Sequence, residues 1–414
     1  MRFPESDEPP SGRPPGMLAS LRGMPLAPLA ATLAVQTLAT AALFSIPAIA
    51  PAIAAALHVS GELVGSFVAV AYGTGIISAL LSPGLIRRYG GVRATQAVLV
   101  AAAGMVATAA TGHLVSLALA AVVLGLGYGA AAPASTHLLV PQTPRPVFNL
   151  VMSVRQIGVP LGGVLGALVL PPLALAIGWR LALLTELGPL LLLLALMELP
   201  RRRWDAGREP THRAFGRTLL QPFTLLRDPR IRRLSVASFV FSGTQLTFVA
   251  FMTVQLTSAA GFSLVQAGQV LALYQIAGTV SRPVWGWMAD RVLSPSRTLA
   301  MLGLGMAVAA VAAGEIGTRW PGWAVVVMAL VAGCTAGGYT GVAYADYAHL
   351  GGVRRTEATG LGTAIMFAAV MLIPPLFGFA VTALGGYAVP YGMLALLAGF
   401  SAALMARRVG GSGA

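Results

Sequence analysis

Residues 26–50 read LAPLAATLAVQTLATAALFSIPAIA, a run of 25 residues without a charged side chain. An α-helix needs about 20 predominantly apolar residues to cross the hydrocarbon core of a bilayer, so this run predicts a transmembrane helix. Eleven more such runs follow, near residues 63–84, 95–112, 115–139, 148–175, 181–199, 234–257, 265–288, 298–315, 322–346, 358–383 and 387–406. The sequence therefore predicts an all-α membrane protein with 12 transmembrane helices in two sets of six.

The composition agrees with a membrane-embedded chain. Of the 414 residues, 57% are hydrophobic and 10% are charged, whereas a soluble domain carries roughly a quarter charged residues. A net charge of +14 would suggest nucleic-acid binding in a soluble protein. All 27 basic residues are Arg, however, and they form no basic face interleaved with aromatic side chains. We therefore expect no nucleic-acid partner.

Several kinds of site are missing from the sequence. The single cysteine, Cys334, excludes an intrachain disulfide and any cysteine-cluster metal site, and we expect it to be a small buried residue. The chain has no G-x-x-x-x-G-K-[ST], H-E-x-x-H or G-x-S-x-G string, which removes the usual motifs for ATP binding, metalloproteases and hydrolases. We therefore expect no enzymatic activity and no bound cofactor or metal ion.

The chain divides around one polar segment. We expect a disordered cytoplasmic tail over 1–24, an N-terminal six-helix bundle over 25–200, a cytoplasmic linker over 201–233, a C-terminal six-helix bundle over 234–408 and a tail over 409–414. The pattern puts 23 of the 27 Arg residues on one side of the membrane and only Arg180 and Arg319 on the other. Because short cytoplasmic loops retain positive charge, both termini are predicted to be cytoplasmic, in a multi-pass protein of the cytoplasmic (inner) membrane.

The two bundles resemble each other in sequence. The stretch 83–90 after the second helix matches 286–291 after the eighth, and 145–160 matches 355–370 at a similar offset. Two pseudo-symmetric halves related by an axis along the membrane normal place a substrate site at their interface, near the bilayer midplane.

With this organisation the chain resembles the major facilitator superfamily of secondary transporters. The signature of that family is a cytoplasmic loop after helix 2, written G-x-L-A-D-R-x-G-R, with a weaker copy after helix 8. Here the copy after helix 8 is the closer one, with Gly286, Asp290 and Arg291 in place. In the first copy Pro83 stands in the Gly place and Arg87 in the Asp place, so the acid that makes an interhalf contact in the family is missing there.

The resemblance implies alternating access and a gate at these loops. Asp290 can accept hydrogen bonds from helix N-terminal amides and from Arg, contacts that form in one state and break in the other. The alternative is that this loop only sets the orientation of the helices in the membrane, and that Asp290 has no specific role in it. The predicted gate residues are Gly286, Asp290, Arg291, Arg87, Arg88 and Arg282.

Arg155 is the strongest candidate for contact with a solute. It lies inside the fifth predicted helix, about 12 Å from the cytoplasmic end at 1.5 Å per residue. A charge at this depth costs at least ~2.5 kcal/mol on insertion scales, so it should face a cavity or a partner. A guanidinium pairs in a bidentate manner with a carboxylate or phosphonate, which favours an organic anion. The structural alternative is an Arg that snorkels or binds nearby carbonyls.

Other polar side chains lie near the middle of their predicted helices. The resemblance would put helices 1, 4, 7 and 10 and their neighbours around the cavity, although each side chain could instead form an interhelix hydrogen bond. The predicted substrate-binding residues are Arg155, Gln156, Gln36, Gln245, Tyr274, Gln275 and Tyr339.

Coupling to protons requires a titratable group within the membrane, and the proton is the expected coupling ion. The candidates are Glu186 in helix 6, Asp346 in helix 10 and His137 in helix 4. Asp346 could instead serve the gate or pair with Arg354, and His137 could be a hydrogen-bonded structural residue.

The sequence therefore predicts a secondary active transporter, monomeric in the lipid bilayer, that moves a small organic solute, with a carboxylate as the first choice. The alternative is proton-coupled efflux of amphipathic drugs. Helix 5 suggests it, because Gly158-Val159-Pro160 is similar to the family's antiporter pattern G-P-x-x-G-G but is interrupted by Val159. A membrane-embedded enzyme or receptor would require clustered catalytic groups or a sizeable extramembrane domain, and the sequence has neither.

Overall fold

The computed structural model describes residues 24–59, 61–214 and 220–407, and every regular element in these ranges is a helix. The predicted tails at 1–24 and 409–414 lie outside the described residues, except for Met24. Residues 215–219 of the predicted linker also lie outside them.

The first part of the chain forms ten helices, which we call the N half, and a short helix in the linker. They are α1 (Leu26–Ala48), α2 (Ala50–Leu57), α3 (Gly61–Tyr89), α4 (Gly91–Ala110), α5 (Leu114–Tyr128), α6 (Ala131–Leu139), α7 (Phe148–Arg155), α8 (Gly158–Ile177), α9 (Trp179–Leu184), α10 (Leu187–Leu196) and, in the linker, α11 (Arg201–Trp204).

The second part forms seven helices, which we call the C half. They are α12 (Pro229–Ser258), α13 (Leu264–Arg291), α14 (Pro295–Gly314), α15 (Gly322–Ala336), α16 (Thr340–Gly351), α17 (Arg355–Leu384) and α18 (Ala388–Ala406).

These helices account for the predicted membrane crossings. Ten stretches of the described chain are long and apolar enough to span a bilayer. One of them, 322–384, turns back at Gly352–Arg354 and so holds two crossings. The helix α13, which has 28 residues, covers the crossing predicted at 265–288. Some crossings consist of two consecutive helices, namely α5–α6, α7–α8, α9–α10 and α15–α16. The prediction of an all-α membrane fold is confirmed.

Glycines mark the fourth and tenth crossings at corresponding places. A Cβ on Gly129, after α5, would collide with the carbonyl oxygen of Gly75 in α3. A Cβ on Gly337, after α15, would lie 2.6 Å from the Cα of Gly278 in α13. Small residues let helix backbones approach closely in membranes. The fourth and tenth crossings thus each make a close backbone contact with a neighbouring helix of their own half.

Each half has its own apolar core. One core lies almost entirely within the N half and includes Leu43 and Leu99, and the other lies mostly within the C half and includes Phe241 and Met306. Large apolar side chains also cover the outer surface, as Leu175 does with 90% of its area exposed. Apolar side chains on the outside are what a lipid-facing surface requires.

The halves meet mainly at one end of the molecule. We call the surface that carries the connections at 140–147, 197–214, 220–228, 292–294 and 352–354 the arginine-rich face, and the other the opposite face. Near the arginine-rich face, α7 packs against α13 and α16, and α6 packs against α17. The second part of α3 also packs against the first part of α17, where Gly360 lies against the Ala79 carbonyl. The helix α8, which continues α7 toward the opposite face, packs instead on α1 and α9. The halves therefore diverge toward the opposite face.

The linker begins by capping a helix of the N half. Asp205 accepts hydrogen bonds from the backbone amides of Val92 (2.9 Å) and Arg93 (3.3 Å) in the first turn of α4. Gly90, just before α4, has a φ of +101° and lies against the Asp205 carboxylate with no room for a Cβ. The α3–α4 turn therefore depends on a glycine and on an acid from the linker.

The linker also contacts both halves further along. The carbonyl oxygen of Ala214 lies so close to Gly84 of α3 that a Cβ would not fit. On the C half, Nη2 of Arg354 donates to Oγ1 of Thr224 (3.2 Å). The polar segment thus lies along the arginine-rich face and touches each half.

We expect Gly90→Ala to destabilise the protein. A non-glycine residue forced into this backbone region costs about 1–3 kcal/mol, and the new methyl group would also displace Asp205. The melting temperature of the purified protein in detergent should fall. Gly207→Ala is the matched control, because nothing lies within 4 Å of a Cβ there. Equal melting temperatures for the two variants would contradict the prediction.

Candidate substrate site

A cavity of about 510 Å³ lies between the two halves. Its lining extends from Arg155 at the end of α7 to Phe44 and Pro47 near the far end of α1, and includes Val164 of α8 and Val249 of α12. These residues lie progressively nearer the opposite face. The cavity is therefore closed toward the arginine-rich face, where the halves are in contact, and extends toward the opposite face.

Arg155 lies at the closed end of this cavity, with only 1% of its area exposed. Its Nη1 donates to the side-chain oxygen of Gln156, and its Nη2 donates to Oε1 of Gln36 (2.5 Å) and to the carbonyl oxygen of Ala131 (3.2 Å). Its Nε is buried and has no acceptor among the described residues. The guanidinium is thus held by neutral oxygens and retains an unused donor.

A second guanidinium enters the cavity from the C half. Arg282 of α13 is 3% exposed, and its Nε donates to the carbonyl oxygen of Gly337 (2.8 Å). Its Nη1 donates to the backbone oxygen of Gln156. The sequence assigned Arg282 to the gate, whereas the structure puts it in the cavity lining, two helical turns before Asp290. Gln156 therefore accepts from Arg155 through its side chain and from Arg282 through its backbone.

No carboxylate balances these two charges. In the described part of the chain, no ion pair involves Arg155 or Arg282. The residues that line the cavity include no Asp, Glu or His. A buried charge without a partner is costly in a medium of low dielectric constant. The cavity therefore holds two positive charges that an anion would neutralise.

Aromatic rings from both halves line the same cavity. The rings of Tyr72 and Phe367 meet edge to face with centroids 4.8 Å apart, and Tyr128 stacks on Phe367 at 5.8 Å. The hydroxyl of Tyr128 accepts a hydrogen bond from Nε2 of Gln36 (3.3 Å), the residue that also binds Arg155. The cavity thus combines cationic donors with an aromatic wall.

Most of the predicted substrate-binding residues lie around this cavity, namely Arg155, Gln156, Gln36, Gln245, Gln275 and Tyr339. Tyr274 does not line it. The Tyr274 ring is fully buried beside Phe248, with centroids 6.1 Å apart, and its hydroxyl donates to the backbone oxygen of Gln245 (3.3 Å). Successive residues of a helix point about 100° apart, so Gln275 faces the cavity while Tyr274 faces α12.

Several lining residues were missed by sequence reasoning, namely Tyr128, Thr340, Tyr344, Thr363 and Phe367. The hydroxyl groups of Tyr344 and Thr363 are hydrogen-bonded to each other at 3.1 Å. Isolated hydroxyl and aromatic residues in apolar helices usually serve packing, so they carried little signal. Thr340 and Tyr344 are four residues apart, and this spacing on one helix face was the available indication.

Asp290 links the halves at the closed end. Its Oδ1 accepts from the backbone amide (2.9 Å) and the side-chain amide (2.8 Å) of Asn149, and its Oδ2 accepts from the amide of Leu150 (2.9 Å). Those backbone amides belong to the first turn of α7, where N–H groups have no intrahelical acceptor. A carboxylate of the C half thus caps a helix of the N half, where negative charge is favoured.

Glycines bring the same helices into close contact. A Cβ on Gly286, one turn before Asp290, would lie 2.7 Å from the Asn149 carbonyl oxygen. A Cβ on Gly341 of α16 would collide with Ser153 of α7. The contact between the halves here is therefore a backbone-to-backbone contact that larger side chains would open.

Arg87 stands where the family signature has Asp. This basic side chain contacts an acid of the C half. Its Nη1 lies 3.9 Å from Oε1 of Glu357 in α17, and its Nη2 lies 3.3 Å from Oε1 of Glu209 in the linker. Partly exposed ion pairs contribute about 1 kcal/mol or less. Glu357 also pairs with Arg354 (2.5 Å), so Arg354 binds this acid and not Asp346.

The two other predicted gate residues form no interhalf ion pair in the described part of the chain. The Arg88 guanidinium lies 5.4 Å from the centre of the Tyr89 ring. The Nε of Arg291 is buried and has no partner among the described residues. Among the predicted gate residues, Asp290 is therefore the one whose carboxylate accepts three hydrogen bonds from the other half.

None of the three predicted proton-coupling residues is among those that line the cavity. Glu186 lies between α9 and α10, and Asp346 lines a separate cavity with Arg230 at the arginine-rich face. His137, at the end of α6, has its Nδ1 3.5 Å from Oγ1 of Thr356 in α17. Of the three, His137 is the residue with a hydrogen-bonding contact across the halves.

The sequence matches known transporters. The family model described as the Major Facilitator Superfamily matches residues 32–352 and 261–411. The 4-hydroxybenzoate transporter PcaK of Pseudomonas aeruginosa is 29% identical over 278 residues, which cover 59% of this chain. The chain spans 61% of the length of that protein. An uncharacterised MFS-type transporter of Mycobacterium tuberculosis is 25% identical over 317 residues, covering 74% of this chain and 68% of the relative.

Solved structures share the fold at lower identity. The fucose:proton symporter FucP of E. coli aligns with a TM-score of 0.68 at 15% identity, over 92% of this chain and 99% of that chain. The human organic anion transporter MFSD10 (TETRAN) aligns with a TM-score of 0.67 at 18% identity, over 96% of this chain and 100% of that chain.

Two helical halves that enclose a polar cavity are the arrangement of a carrier-type membrane protein. The chain belongs to the Major Facilitator Superfamily. The family indicated by the signature loops is thereby confirmed.

We propose that Asp290 holds the arginine-rich end of the cavity closed. Asp290→Asn would keep an acceptor oxygen but lose the charge that favours the α7 N-terminus, an effect of about 1 kcal/mol or more. To follow the seam, His137→Cys and Thr356→Cys can be combined in a Cys334→Ser background, since these side chains touch across the halves. We expect Asp290→Asn to slow cross-linking of this pair about fivefold.

Asp228→Asn is the matched control for the cross-linking experiment. Asp228 also caps a helix, since it accepts from the amide of Arg230 (2.8 Å), but both residues belong to the same end of α12. Its substitution should leave the cross-linking rate unchanged. A rate for Asp290→Asn that equals the control would rule out the proposed role of Asp290.

Proposed function

We propose that the protein is a secondary active transporter whose solute is a small organic anion, in particular an aromatic carboxylate. The observation that carries this proposal is the cavity with two buried guanidinium groups and no acidic lining residue. A carboxylate can accept two parallel hydrogen bonds from a guanidinium. The adjacent rings of Tyr72, Tyr128 and Phe367 supply a surface on which an aromatic solute can stack.

The similarity to PcaK supports the same class of solute. That relative is named for transport of 4-hydroxybenzoate, an aromatic carboxylate. The free hydrogen-bonding groups of the cavity can bind both the carboxylate and the hydroxyl group of such a molecule. Arg155 retains an unused Nε–H for the carboxylate, and the cavity hydroxyls of Tyr339 and Thr340 lack partners among the described residues.

The charge of the cavity argues against the alternative of cationic amphipathic drugs. Such a solute would approach Arg155 and Arg282 without a compensating acid, and like charges in a medium of low dielectric constant repel strongly. The apolar lining residues, Met366 and Phe367 among them, are equally compatible with an aromatic anion.

We extend the proposal to the orientation in the membrane. The arginine-rich face would be cytoplasmic, following the positive-inside rule, and both termini would be cytoplasmic with it. The cavity would then be open to the outside. The bundles 25–200 and 234–408 would rock against each other, with the 201–233 linker on the cytoplasmic side.

Proton coupling forms part of the proposal, with His137 as the coupling residue. Its contact with Thr356 spans the seam, so opening the seam would change its surroundings. The charged groups that act on it electrostatically include Arg355, Arg87 and Glu209. A proton bound at His137 would add positive charge beside two Arg side chains and would therefore favour separation of the halves.

Substitution of Arg155 tests the solute class. We expect purified protein with Arg155→Gln to bind 4-hydroxybenzoate about 10- to 100-fold more weakly, because a charge-assisted hydrogen bond is lost. Arg155→Lys should lose less, since it keeps the charge, and Arg319→Gln, at an exposed site, should match the wild type. Calorimetric titration would measure the affinity of each variant for 4-hydroxybenzoate. An affinity for 4-hydroxybenzoate that Arg155→Gln does not alter would refute the role of Arg155.

Uptake into proteoliposomes tests the coupling. We expect an inward proton gradient to increase 4-hydroxybenzoate uptake several-fold over the rate without a gradient. His137→Gln should remove this stimulation while leaving binding intact, whereas Asp346→Asn and Glu186→Gln should retain it. Stimulation that persists in His137→Gln would exclude His137 as the coupling residue.

A further inference from the structure

The two guanidinium groups of the cavity belong to different halves and converge on one residue. Arg155 extends from α7 and Arg282 from α13, and both donate to Gln156. A solute that binds both groups would therefore be held by both halves at once. This arrangement therefore bears on the sign of the charge on the solute, on the number of charged groups that the solute carries and on where they lie.

The hydrogen-bonding inventory leaves donors free on both sides. A guanidinium has five N–H groups. Arg282 uses its Nε–H on Gly337 and one Nη1–H on Gln156, so its Nη2 has no acceptor among the described residues. Arg155 uses one Nη1–H and both Nη2–H groups, which leaves its Nε–H and one Nη1–H. Arg282 thus keeps three N–H groups and Arg155 keeps two, so each half retains donors for an anion.

Unpartnered hydroxyl groups extend the donor set on the C half. Tyr339 and Thr340 follow Gly337, the residue whose carbonyl binds Arg282, and both line the cavity. Their hydroxyl oxygens are buried without a partner in the described part of the chain. Buried polar groups are normally hydrogen-bonded. Their position beside Arg282 points to a second group of acceptors on the solute.

We propose that the solute is a dianion, an aromatic molecule with two anionic groups, one held by Arg155 of the N half and the other by Arg282 of the C half. The proposal rests on the transport of an aromatic carboxylate proposed above and sharpens it. Enclosing a monoanion would leave one positive charge buried without a partner, whereas a dianion would leave none. Because unpaired buried charge is costly, the dianion should be favoured when the cavity closes.

The test compares two probes of nearly the same shape, terephthalate and its monomethyl ester, with 4-hydroxybenzoate as a second monoanion. Binding to the purified full-length protein is measured by calorimetry in chloride-free buffer, so that a small anion cannot occupy the second position. We expect the wild type to bind terephthalate about 10- to 100-fold more tightly than either monoanion, as expected for one additional charge-assisted set of hydrogen bonds.

Substitution of Arg282 should abolish this preference. In Arg282→Gln, terephthalate and its monoester should bind within about threefold of each other, and Arg282→Lys, which keeps the charge, should retain part of the preference. Arg319→Gln, whose side chain is exposed and outside the cavity, should behave like the wild type. The wild-type comparison needs no variant and remains decisive if Arg282→Gln does not fold.

The outcomes separate this proposal from the one on which it rests. If the wild type binds terephthalate and the monoester equally, or if the preference persists in Arg282→Gln, the dianion proposal is overturned while an anionic solute stands. If no aromatic carboxylate binds and a neutral or cationic solute stabilises the protein instead, the proposed function itself fails.

Discussion

Two guanidinium groups enclosed in a membrane protein without a neighbouring carboxylate are the constraint on which the remaining features depend. Such charges are costly, and the chain accommodates them with neutral oxygens from Gln36, Gln156 and two backbone carbonyls. Neutral acceptors reduce the cost of burial without cancelling the charge. Arg155 belongs to the N half and Arg282 to the C half. A solute that neutralises both charges must therefore also contact both halves.

The seam at the arginine-rich face uses a different kind of interaction. Asp290 does not meet a basic side chain there but the free amides of a helix N-terminus, and Gly286 brings the two backbones close enough for that contact. A helix terminus has a fixed direction, so this contact depends on the relative orientation of the two halves. Close packing and a directional cap together make the closed end well defined, whereas ion pairs such as Arg87–Glu357 tolerate more variation.

The sequence predicted the features that depend on composition along the chain. Length and hydropathy identified the crossings, the repeat identified two halves, and the cost of a deep charge identified Arg155. The sequence did not predict which way a side chain points around the axis of its helix. Tyr274 and Gln275 are neighbours at the same depth, yet the structure puts only Gln275 in the cavity lining. Arg282 was grouped with Asp290 because the two are close in sequence, although two helical turns carry it from the seam to the cavity.

The linker contacts acquire a mechanical meaning when their place in the molecule is considered. The contact of Ala214 with α3 and that of Thr224 with Arg354 both lie at the arginine-rich face, where the two halves also touch each other. Contacts at one end join two bundles without fixing the distance between their other ends. The pair then resembles two levers that share a hinge, with the solute as the part that presses on both.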